Sequence, residues 1–326
     1  MTGAIAVIGA GAWGTALAQT LAASGHAVRI WARDPAAVEG INRDHSNPRY
    51  LPGIRLHAGI RASVDLDAVL GDAECVLAVT PAQTLASVLA EVAPRIRSTV
   101  PVVLCAKGIE ANSGRLLSDV ARDALPSNPI AALSGPSFAA DVAAGLPTAV
   151  TIAADDIELA ARLAELLSTA TLRCYSSDDL PGVEAGGALK NVLAIAAGAV
   201  VGAGLGASAQ AALVTRGFVE MRRIAESFGA RPQTLMGLSG FGDLMLTCGS
   251  GQSRNFAYGC AIGAMQSLEG RPLAEGVATA AIARRIALER GLDAPITESV
   301  ALLLDRSITV GEAVSTLLAR PLRSEG

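Results

Sequence analysis

Aromatic side chains are scarce in this 326-residue chain, at 3% of all residues, and charged residues make up only 17%. Since 51% of the residues are hydrophobic, the chain can bury a large core, and because aromatics are scarce that core must be built from Ala, Val, Leu and Ile. The formal net charge of −4 provides no basic footprint, so we expect no nucleic-acid partner. The length alone favours two domains.

Cysteine pairs and clustered histidines are absent as well. The five cysteines form no CxxC pair, and His26, His45 and His57 lack metal-ligand spacing. The sequence therefore predicts no metal site and no Ser-His-Asp or Cys-His catalytic set. We expect buried free thiols in a reducing compartment. No basic segment or apolar leader precedes the first apolar run, which predicts a cytoplasmic protein without an export signal.

One stretch, from Asn191 to Thr215, carries no formal charge and is long enough to span a bilayer. It consists mostly of Ala and Gly, which gain little from lipid, whereas Leu, Ile and Phe are few. We interpret it as a buried helix packed closely against its neighbours and predict no membrane span.

What the chain does contain begins with a glycine-rich turn, Gly9–Gly14, between a first apolar run and a helical stretch. A second strand-like run, Val28–Ala32, follows at βαβ spacing. Glycines allow a tight turn and close backbone approach, and the helix N-terminus offers free N–H groups to a pyrophosphate. The pattern predicts a dinucleotide site that uses Gly9, Gly11 and Gly14. A strand–helix turn that binds nothing is the alternative.

The rest of the first half alternates short apolar runs with helical stretches. These runs are Cys75–Val79, Val102–Ala106, Ile130–Leu133, Thr148–Ala153 and Leu172–Tyr175. They predict an α/β fold with a Rossmann-like, doubly wound, mostly parallel sheet. After about Asp179 helical periodicity dominates. We therefore predict a dinucleotide-binding domain over residues 1–180, an all-helical substrate-binding domain over 181–326, and a cleft between them.

Two lysines are candidates for chemistry in a hydride-transfer enzyme, in which the cofactor carries the hard step. Lys190 begins the uncharged run, where desolvation would lower the pKa of its amine and make it a usable proton carrier. A lysine that reaches solvent from a helix end is the alternative. Asn191 could orient a substrate hydroxyl or carbonyl. Lys107 follows a predicted strand, where it could contact cofactor or substrate or simply be solvated.

A polar loop in the second half offers several hydrogen-bond donors in a small space. Ser253, Arg254 and Asn255 suit a phosphate or a carboxylate, although an exposed basic loop has the same composition. Asp243 could pair with a lysine in the cleft or merely shape its own loop.

An ordered series of motifs along the whole chain resembles the NAD(P)-dependent glycerol-3-phosphate dehydrogenases of the bacterial type. The motifs are Gly9–Ala18, Tyr50–Gly53, Ala106–Gly108, Leu133–Ala139, Gly182–Glu184, Gly186–Val192, Ala212–Leu213, Thr215–Gly217, Gly242–Leu244, Thr247–Cys248, Ser253–Asn255, Glu275–Val277 and Pro295–Glu298.

The resemblance implies reversible reduction of dihydroxyacetone phosphate to sn-glycerol 3-phosphate for phospholipid synthesis. The sequence leaves the assembly open, with a homodimer as one alternative. The implied catalytic residues are Lys190 as general acid/base, with Asp243, Asn191 and Thr247. The implied substrate contacts are Lys107, Gly135, Ser137, Lys190, Asp243, Ser253, Arg254 and Asn255. The implied cofactor contacts are Ala12, Trp13, Arg33, Tyr50, Lys107, Ala139, Arg254, Leu273 and Glu275.

Two neighbouring residues bear on the choice between NAD and NADP. Asp34 stands about twenty residues beyond the glycine-rich turn, where a carboxylate usually binds the ribose 2′-hydroxyl and favours NAD. The guanidinium of Arg33 could instead hold a 2′-phosphate. The resemblance implies Arg33 at the cofactor, and Asp34 can cap the helix that begins near Pro35. We expect both coenzymes to work, with NADPH preferred.

Two other functions fit the same pattern less closely. A related two-domain dehydrogenase acting on a 3-hydroxy acid or a sugar-derived acid would need a carboxylate site in place of the phosphate site. A redox-sensing NAD(P)-binding protein without catalytic activity would need neither Lys190 nor the Ser253–Asn255 loop.

Overall fold

An eight-stranded sheet forms the first half of the protein, in the order β3-β2-β1-β4-β5-β6-β7-β8. The computed structural model describes residues 3–272 and 274–321. The strands are β1 (Ala4–Ile8), β2 (Val28–Trp31), β3 (Arg61–Ser63), β4 (Ala73–Ala78), β5 (Val102–Leu104), β6 (Ile130–Ser134), β7 (Thr148–Ala154) and β8 (Leu172–Ser177). All neighbours pair in parallel except β6 and β7, which are antiparallel. The predicted mostly parallel sheet is confirmed.

Helices cover both faces of this sheet. They are α1 (Ala12–Ala23), α2 (Pro35–Glu39), α3 (Leu66–Leu70), α4 (Leu85–Val92), α5 (Leu117–Ala124), α6 (Ala139–Ala143) and α7 (Ile157–Leu167). One apolar core joins the sheet to α1, α6 and α7, and a second joins it to α3, α4 and α5. All five residues of β1 are consequently buried. The predicted double winding is therefore confirmed.

The strand order reverses beside β1, which lies between β2 and β4. In β1, Ile5 is in register with Val28 of β2 on one side and with Cys75 of β4 on the other. In open sheets of this kind the ligand crevice opens at the carboxyl ends of the strands next to such a reversal. The turns after β1, β4, β5 and β6 meet at that edge.

The second half is helical. Its helices are α8 (Leu180–Gly202), α9 (Ala207–Glu226), α10 (Pro232–Leu235), α11 (Asp243–Cys248), α12 (Arg254–Gly263), α13 (Glu275–Glu289), α14 (Pro295–Leu304) and α15 (Val310–Leu318). A π-helical turn, Leu238–Gly242, leads directly into α11. In the described part of the chain, no strand follows β8. Helix α8 lies at the centre of the apolar core of this half, and 20 of its 23 residues are buried.

Glycines bring α8 and α12 into direct backbone contact. A Cβ added at Gly198 would lie 2.1 Å from the carbonyl oxygen of Phe256, and one at Gly202 would lie 2.1 Å from that of Cys260. On α12, a Cβ at Gly259 would lie 2.0 Å from the carbonyl oxygen of Ile195. Each helix therefore needs glycine where the other crosses it. This contact explains why the uncharged run is rich in small residues.

The uncharged stretch from Asn191 to Thr215 is not one buried helix, which corrects that expectation. Helix α8 ends at Gly202, and the connection to α9 contains Gly204 and Gly206 with φ of +69° and +88°. These left-handed conformations favour glycine and end the helix. By length and composition α8 could cross a membrane, yet 89% of its most apolar window is buried inside the protein. Its apolar surface is therefore already used in packing.

All five cysteines are free, but not all are buried. Cys75, Cys105 and Cys248 are buried as expected, whereas Cys174 and Cys260 are half-buried. Cys174 lies on β8, an edge strand of the sheet, which has a neighbour on one side only. The expectation of buried thiols is wrong for these two.

Candidate active site

The glycine-rich turn forms an open cradle between β1 and α1. Gly9 has a φ of +121°, and a Cβ there would lie 2.7 Å from the carbonyl oxygen of Val79. A Cβ at Gly14 would lie 2.0 Å from the carbonyl oxygen of Gly9 itself. Beside Gly11, by contrast, no described residue other than its chain neighbours has an atom within 4 Å of the Cβ position. The first and last glycines thus close the turn, while the middle one leaves room for a ligand.

The start of α1 leaves its backbone donors available. Its N-cap is Gly11, which provides no side-chain hydrogen bond, so the first N–H groups point into the cradle without a partner from a cap. Trp13 follows in the first turn, and its Nε1 is buried without a hydrogen-bond partner among the described residues. Backbone donors at a helix N-terminus fit the pyrophosphate of a dinucleotide.

The cofactor candidates at the end of β2 lie beyond the strand. Arg33 stacks its guanidinium 5.5 Å from the ring centre of Trp31 and pairs with Glu91, 3.1 Å away. Asp34 is the N-cap of α2 and accepts a hydrogen bond of 3.0 Å from the backbone N–H of Ala36. The expectation that Asp34 caps the next helix is confirmed.

Lys190, Asp243 and Lys107 form one buried ionic cluster. The Nζ of Lys190 donates to Oδ1 of Asp243 at 2.8 Å, and the Nζ of Lys107 donates to Oδ2 of the same carboxylate at 2.6 Å. The side chain of Asp243 is 1% exposed, that of Lys190 7% and that of Lys107 16%. Two ammonium groups on one carboxylate leave a net positive charge at the sheet edge.

Thr247 and Gly135 complete the hydrogen bonding of the two ammonium groups. Lys190 also donates to Oγ1 of Thr247 at 2.5 Å, and Thr247 in turn donates to the backbone oxygen of Asp243 at 2.6 Å. Lys107 also donates to the backbone oxygen of Gly135 at 3.1 Å. An ammonium group has three donors. Each lysine therefore keeps one N–H that these partners do not use.

Burial and neighbouring charges shift the pKa values in this cluster. Burial, together with the positive charge of Lys107, lowers the pKa of Lys190 to about 8, against the opposing effect of Asp243. Burial by itself would raise the pKa of the Asp243 carboxyl, but the two ammonium groups outweigh it and hold that pKa below its usual range. Near neutral pH, Lys190 can thus both give and take a proton.

Glycines in α8 allow Lys190 to reach this position. A Cβ at Gly187 would lie 2.5 Å from Oγ of Ser134 at the end of β6, and one at Gly186 would lie 3.0 Å from the backbone oxygen of Ser239. Helix α8 therefore approaches both the sheet edge and the π-helical turn closely. Lys190 follows one turn later and meets Asp243 of the helical half, whose other oxygen is bonded to Lys107 from the sheet half.

The N-terminus of α12 contacts α8 at Asn191, the residue after Lys190. Ser253 caps it by accepting a hydrogen bond from the N–H of Phe256. Nδ2 of Asn255 donates to Oδ1 of Asn191 at 2.9 Å, and Oδ1 of Asn255 accepts from the N–H of Gly276 at 2.9 Å. The Asn255 side chain therefore ties α8, α12 and α13 together, while the first backbone N–H groups of α12 are left for an anion.

The remaining sequence candidates come from several elements. Arg254 is exposed at the first position of α12, and its charge and those of Lys107 and Lys190 act on the carboxyl of Glu275, whose pKa is raised by burial. Ser137 donates to the backbone oxygen of Gly135 at 3.1 Å. Ala139 begins α6, and Tyr50 is 41% exposed. Leu273 lies outside the described residues.

Sequence reasoning missed several polar residues at the same edge. Thr80, after β4, and Ser134, at the end of β6, have buried hydroxyls without partners in the described ranges. Asn47 is buried and donates to the backbone oxygen of Ala10 at 2.9 Å, which braces the cradle. Thr80 and Ser134 could have been predicted from the sequence, because each is a polar residue at the carboxyl end of a predicted strand, where ligands bind. No comparable sequence pattern marks Asn47.

Lysine content was a second unused signal. The chain contains only two lysines, Lys107 and Lys190, against 24 arginines obtained as 26 basic residues minus these two. Both lysines donate to Asp243. Arginine carries the positive charge everywhere else, so lysine is kept for a position where an amine of adjustable pKa has a use.

A Rossmann-like sheet with a glycine cradle, and a buried lysine cluster where a helical half meets its edge, define a two-domain nicotinamide-nucleotide-dependent dehydrogenase. Family models described as the N-terminus and the C-terminus of NAD-dependent glycerol-3-phosphate dehydrogenase match residues 4–160 and 179–315. The chain belongs to this family.

Individual relatives agree with this assignment. The glycerol-3-phosphate dehydrogenase (NAD(P)+) of Mesorhizobium japonicum is 63% identical over 321 residues, which cover 98% of this chain and 93% of the relative. The protein of the same name from Brucella canis is 59% identical over 325 residues and the full length of both chains. The crystal structure of glycerol-3-phosphate dehydrogenase from Coxiella burnetii is 37% identical, with a TM-score of 0.93 over 98% of this chain and 99% of that one.

Proposed function

We propose that this protein catalyses reversible hydride transfer between NAD(P)H and dihydroxyacetone phosphate, giving sn-glycerol 3-phosphate for phospholipid synthesis. The observation that carries the proposal is the buried cluster of Lys190, Asp243 and Lys107 between the glycine cradle and the N-terminus of α12. It combines a proton carrier of adjusted pKa with positive charge for an anionic substrate. The close family relatives support the same reaction.

The residues of the cradle fit a dinucleotide. When bound, the nicotinamide supplies or accepts the hydride. Gly9 and Gly14 shape the turn, and the free N–H groups of Ala12 and Trp13 would hold the pyrophosphate. The nicotinamide ring would then lie at the carboxyl ends of β4, β5 and β6, on the side of Lys107 and Lys190.

Lys190 is the proposed general acid/base. Its two hydrogen bonds, to Asp243 and Thr247, fix the ammonium group and leave one N–H for the substrate oxygen. In ketone reduction that N–H donates a proton to the developing alkoxide, and in the reverse direction the neutral amine accepts the hydroxyl proton. Lys107 stabilises negative charge on the same oxygen or on the phosphate.

The N-terminus of α12 is the proposed phosphate site. Ser253 caps this helix and Arg254, which is exposed, is its first residue, and charge-assisted hydrogen bonds from arginine and backbone N–H groups to phosphate are strong. Asn255 contributes its backbone N–H, while its side chain orients Asn191. We propose that Asn191 uses its free amide N–H groups to position the substrate's oxygens.

The coenzyme preference and the assembly are further parts of the proposal. Both NAD(H) and NADP(H) are used. NADPH is preferred because Arg33 can bind its 2′-phosphate, while Asp34, which would otherwise bind the ribose of NAD, is used as a helix cap.

The protein acts in the cytoplasm, where five free thiols are stable. It forms a homodimer, which is supported by exposed apolar side chains of the helical half such as Leu205, Phe241 and Met245. Light scattering tests the dimer.

The substrate is tested by measuring NADPH and NADH oxidation with dihydroxyacetone phosphate, with dihydroxyacetone, and with a panel of keto acids. Only the phosphorylated ketone should be reduced efficiently, because binding energy at the phosphate positions the distant carbonyl. The Arg254→Lys variant should raise the KM for this substrate, because a point charge does not replace a planar fork. Equal rates with both ketones would refute the phosphate site, and preference for a keto acid would favour the 3-hydroxy-acid alternative.

A further inference from the structure

Arg49 lies in the segment between Asn47 and Leu51, and its side chain contacts Asp34, just beyond the end of β2. Its Nη1 lies 3.4 Å from Oδ2 of Asp34, and its guanidinium lies 5.2 Å from the ring centre of Tyr50. Both partners are exposed, Arg49 to 72% and Asp34 to 42% of their side-chain surface. Such an exposed pair contributes little to folding. Its position, beside the residue that reads the adenosine ribose in dinucleotide enzymes, suggests a different purpose.

The segment that carries Arg49 is fixed to the glycine cradle. Asn47 is 2% exposed, and its Nδ2 donates to the backbone oxygen of Ala10 and to Oγ1 of Thr15, both at 2.9 Å. The backbone N–H of Leu51 donates to the oxygen of Asn47 at 2.8 Å, and the Leu51 side chain is buried. Arg49 lies between these two anchors. The backbone of Arg49 is therefore fixed beside the cradle and is not part of a freely moving loop.

Asp34 has both carboxylate oxygens engaged. Oδ1 caps α2 through the N–H of Ala36, and Oδ2 faces Arg49. A free carboxylate at this position accepts the ribose 2′-hydroxyl and repels a 2′-phosphate. Here its charge is offset by Arg49, and Arg33 stands next to it along the chain.

We propose that Arg49 is a coenzyme-specificity residue that neutralises Asp34 and provides, with Arg33, a second guanidinium for the adenosine 2′-phosphate of NADPH. This inference rests on the proposed preference for NADPH and adds the residue that makes Asp34 compatible with it. Each guanidinium can form two charge-assisted hydrogen bonds to a phosphate, and two guanidinium groups from different segments can bind the same phosphate.

The test is binding of adenosine 2′,5′-bisphosphate and of 5′-AMP by calorimetry to the wild type, Arg49→Ala and Arg43→Ala. Arg43 is the matched control, because it is an exposed arginine that pairs with the carboxylates of Glu39 and Asp44 and loses the same charge. Arg49→Ala should weaken the bisphosphate about ten- to a hundredfold, the usual size for a lost charged hydrogen bond, and change 5′-AMP by less than about twofold. The kcat/KM ratio of NADPH to NADH should fall in parallel.

A second variant separates neutralisation from a general loss of the site. Adding Asp34→Asn to Arg49→Ala should restore part of the bisphosphate affinity, because asparagine still caps α2 and the bare carboxylate is gone. If Arg49→Ala and Arg43→Ala bound the bisphosphate equally well, the proposed role of Arg49 would be wrong, while the NADPH preference would stand. A wild type that binds the bisphosphate no more tightly than 5′-AMP would overturn the preference itself.

Discussion

Asp243 is the residue on which the site's electrostatics depend. Its two carboxylate oxygens each accept a hydrogen bond from one of the chain's two lysines, which come from different halves of the molecule. Without this carboxylate, two buried ammonium groups would face each other directly. The carboxylate raises the pKa of Lys190, whereas burial lowers it by more, to about 8.

We expect Lys190→Ala to lower kcat for dihydroxyacetone phosphate reduction by about 10²–10⁴-fold, the usual contribution of a general acid/base. Binding of NADPH, followed by its fluorescence, should hardly change, because the cradle lies on β1 and α1. A variant that keeps a tenth or more of the wild-type kcat would contradict the assignment.

We expect Asp243→Asn to lower the pKa of Lys190, since the carboxylate's negative charge is what raises it. Ketone reduction needs protonated Lys190, so the fall in kcat/KM at high pH should begin at a lower pH than in the wild type. The pKa itself can be read by NMR of ¹³C-labelled lysine, which gives signals from only two side chains. Thr247→Ser, which keeps the hydroxyl, is the control. An unchanged or higher pKa in Asp243→Asn would refute the account.

At the scale of elements, the contact between α8 and α12 positions the proposed phosphate site. Glycines on both helices let the backbones touch, so the place of the α12 N-terminus depends on a spacing that no side chain can adjust. Lys190 and Asn191 lie on α8, and Ser253 and Arg254 cap and open α12. The contact between α8 and α12 thus sets the distance between Lys190, the proposed proton carrier, and the proposed phosphate site.

Gly198→Ala should therefore separate the two helices, because its Cβ would stand 2.1 Å from the backbone oxygen of Phe256. Overpacking of this kind costs roughly 1–3 kcal/mol, measurable by urea unfolding. The KM for dihydroxyacetone phosphate should rise more than the Kd of NADPH. Gly311→Ala in α15 is the control, since the nearest atom to its Cβ position is 4.0 Å away. Equal behaviour of the two variants would show that the helix contact tolerates a methyl group.

At the scale of the whole molecule, Glu184 joins the sheet half to the helical half. It lies on α8, and its Oε1 accepts a hydrogen bond of 2.9 Å from the backbone N–H of Ser118 at the start of α5. Its Oε2 is buried without a partner in the described part of the chain. Burial raises the pKa of this carboxyl to about 7, so the folded protein holds its proton where the unfolded chain has lost it.

This buried carboxyl makes stability depend on pH. Between the unfolded value of 4.5 and the folded value of about 7, the folded state binds more protons, so the free energy of unfolding falls as the pH rises. Glu184→Gln removes that loss. Relative to the wild type, the variant should gain on the order of 2 kcal/mol between pH 5 and pH 8 in urea unfolding.

A buried amide in place of the carboxyl can lower the free energy of unfolding by an amount that does not depend on pH. That amount cancels when the values at pH 5 and pH 8 are subtracted. Glu165→Gln, at an exposed position on α7, is the control and should show no such gain. If Glu184→Gln and the wild type lost the same stability between pH 5 and pH 8, Glu184 would not carry the proton as inferred.

The features that could be predicted from the sequence are local ones. Gly9–Gly14 between an apolar run and a helix sufficed for the cradle, because turn conformation and helix dipole act within a few residues. The long apolar strands were predicted because burial on both faces leaves a continuous pattern. The three-residue edge strand β3 leaves none and was missed, and two residues of the cysteine set were wrongly expected to be buried.

Which distant residues come into contact depends on the tertiary structure. Lys107 and Asp243 are 136 positions apart, and no local pattern links them. The pairs of Asn255 with Asn191 and of Arg49 with Asp34 arise in the same way, from helix packing and from a segment anchored at Asn47. The sequence supplied side chains of the right chemistry. Their distances, burial and pKa values come from long-range contacts, because desolvation and pairing depend on every element that surrounds a group.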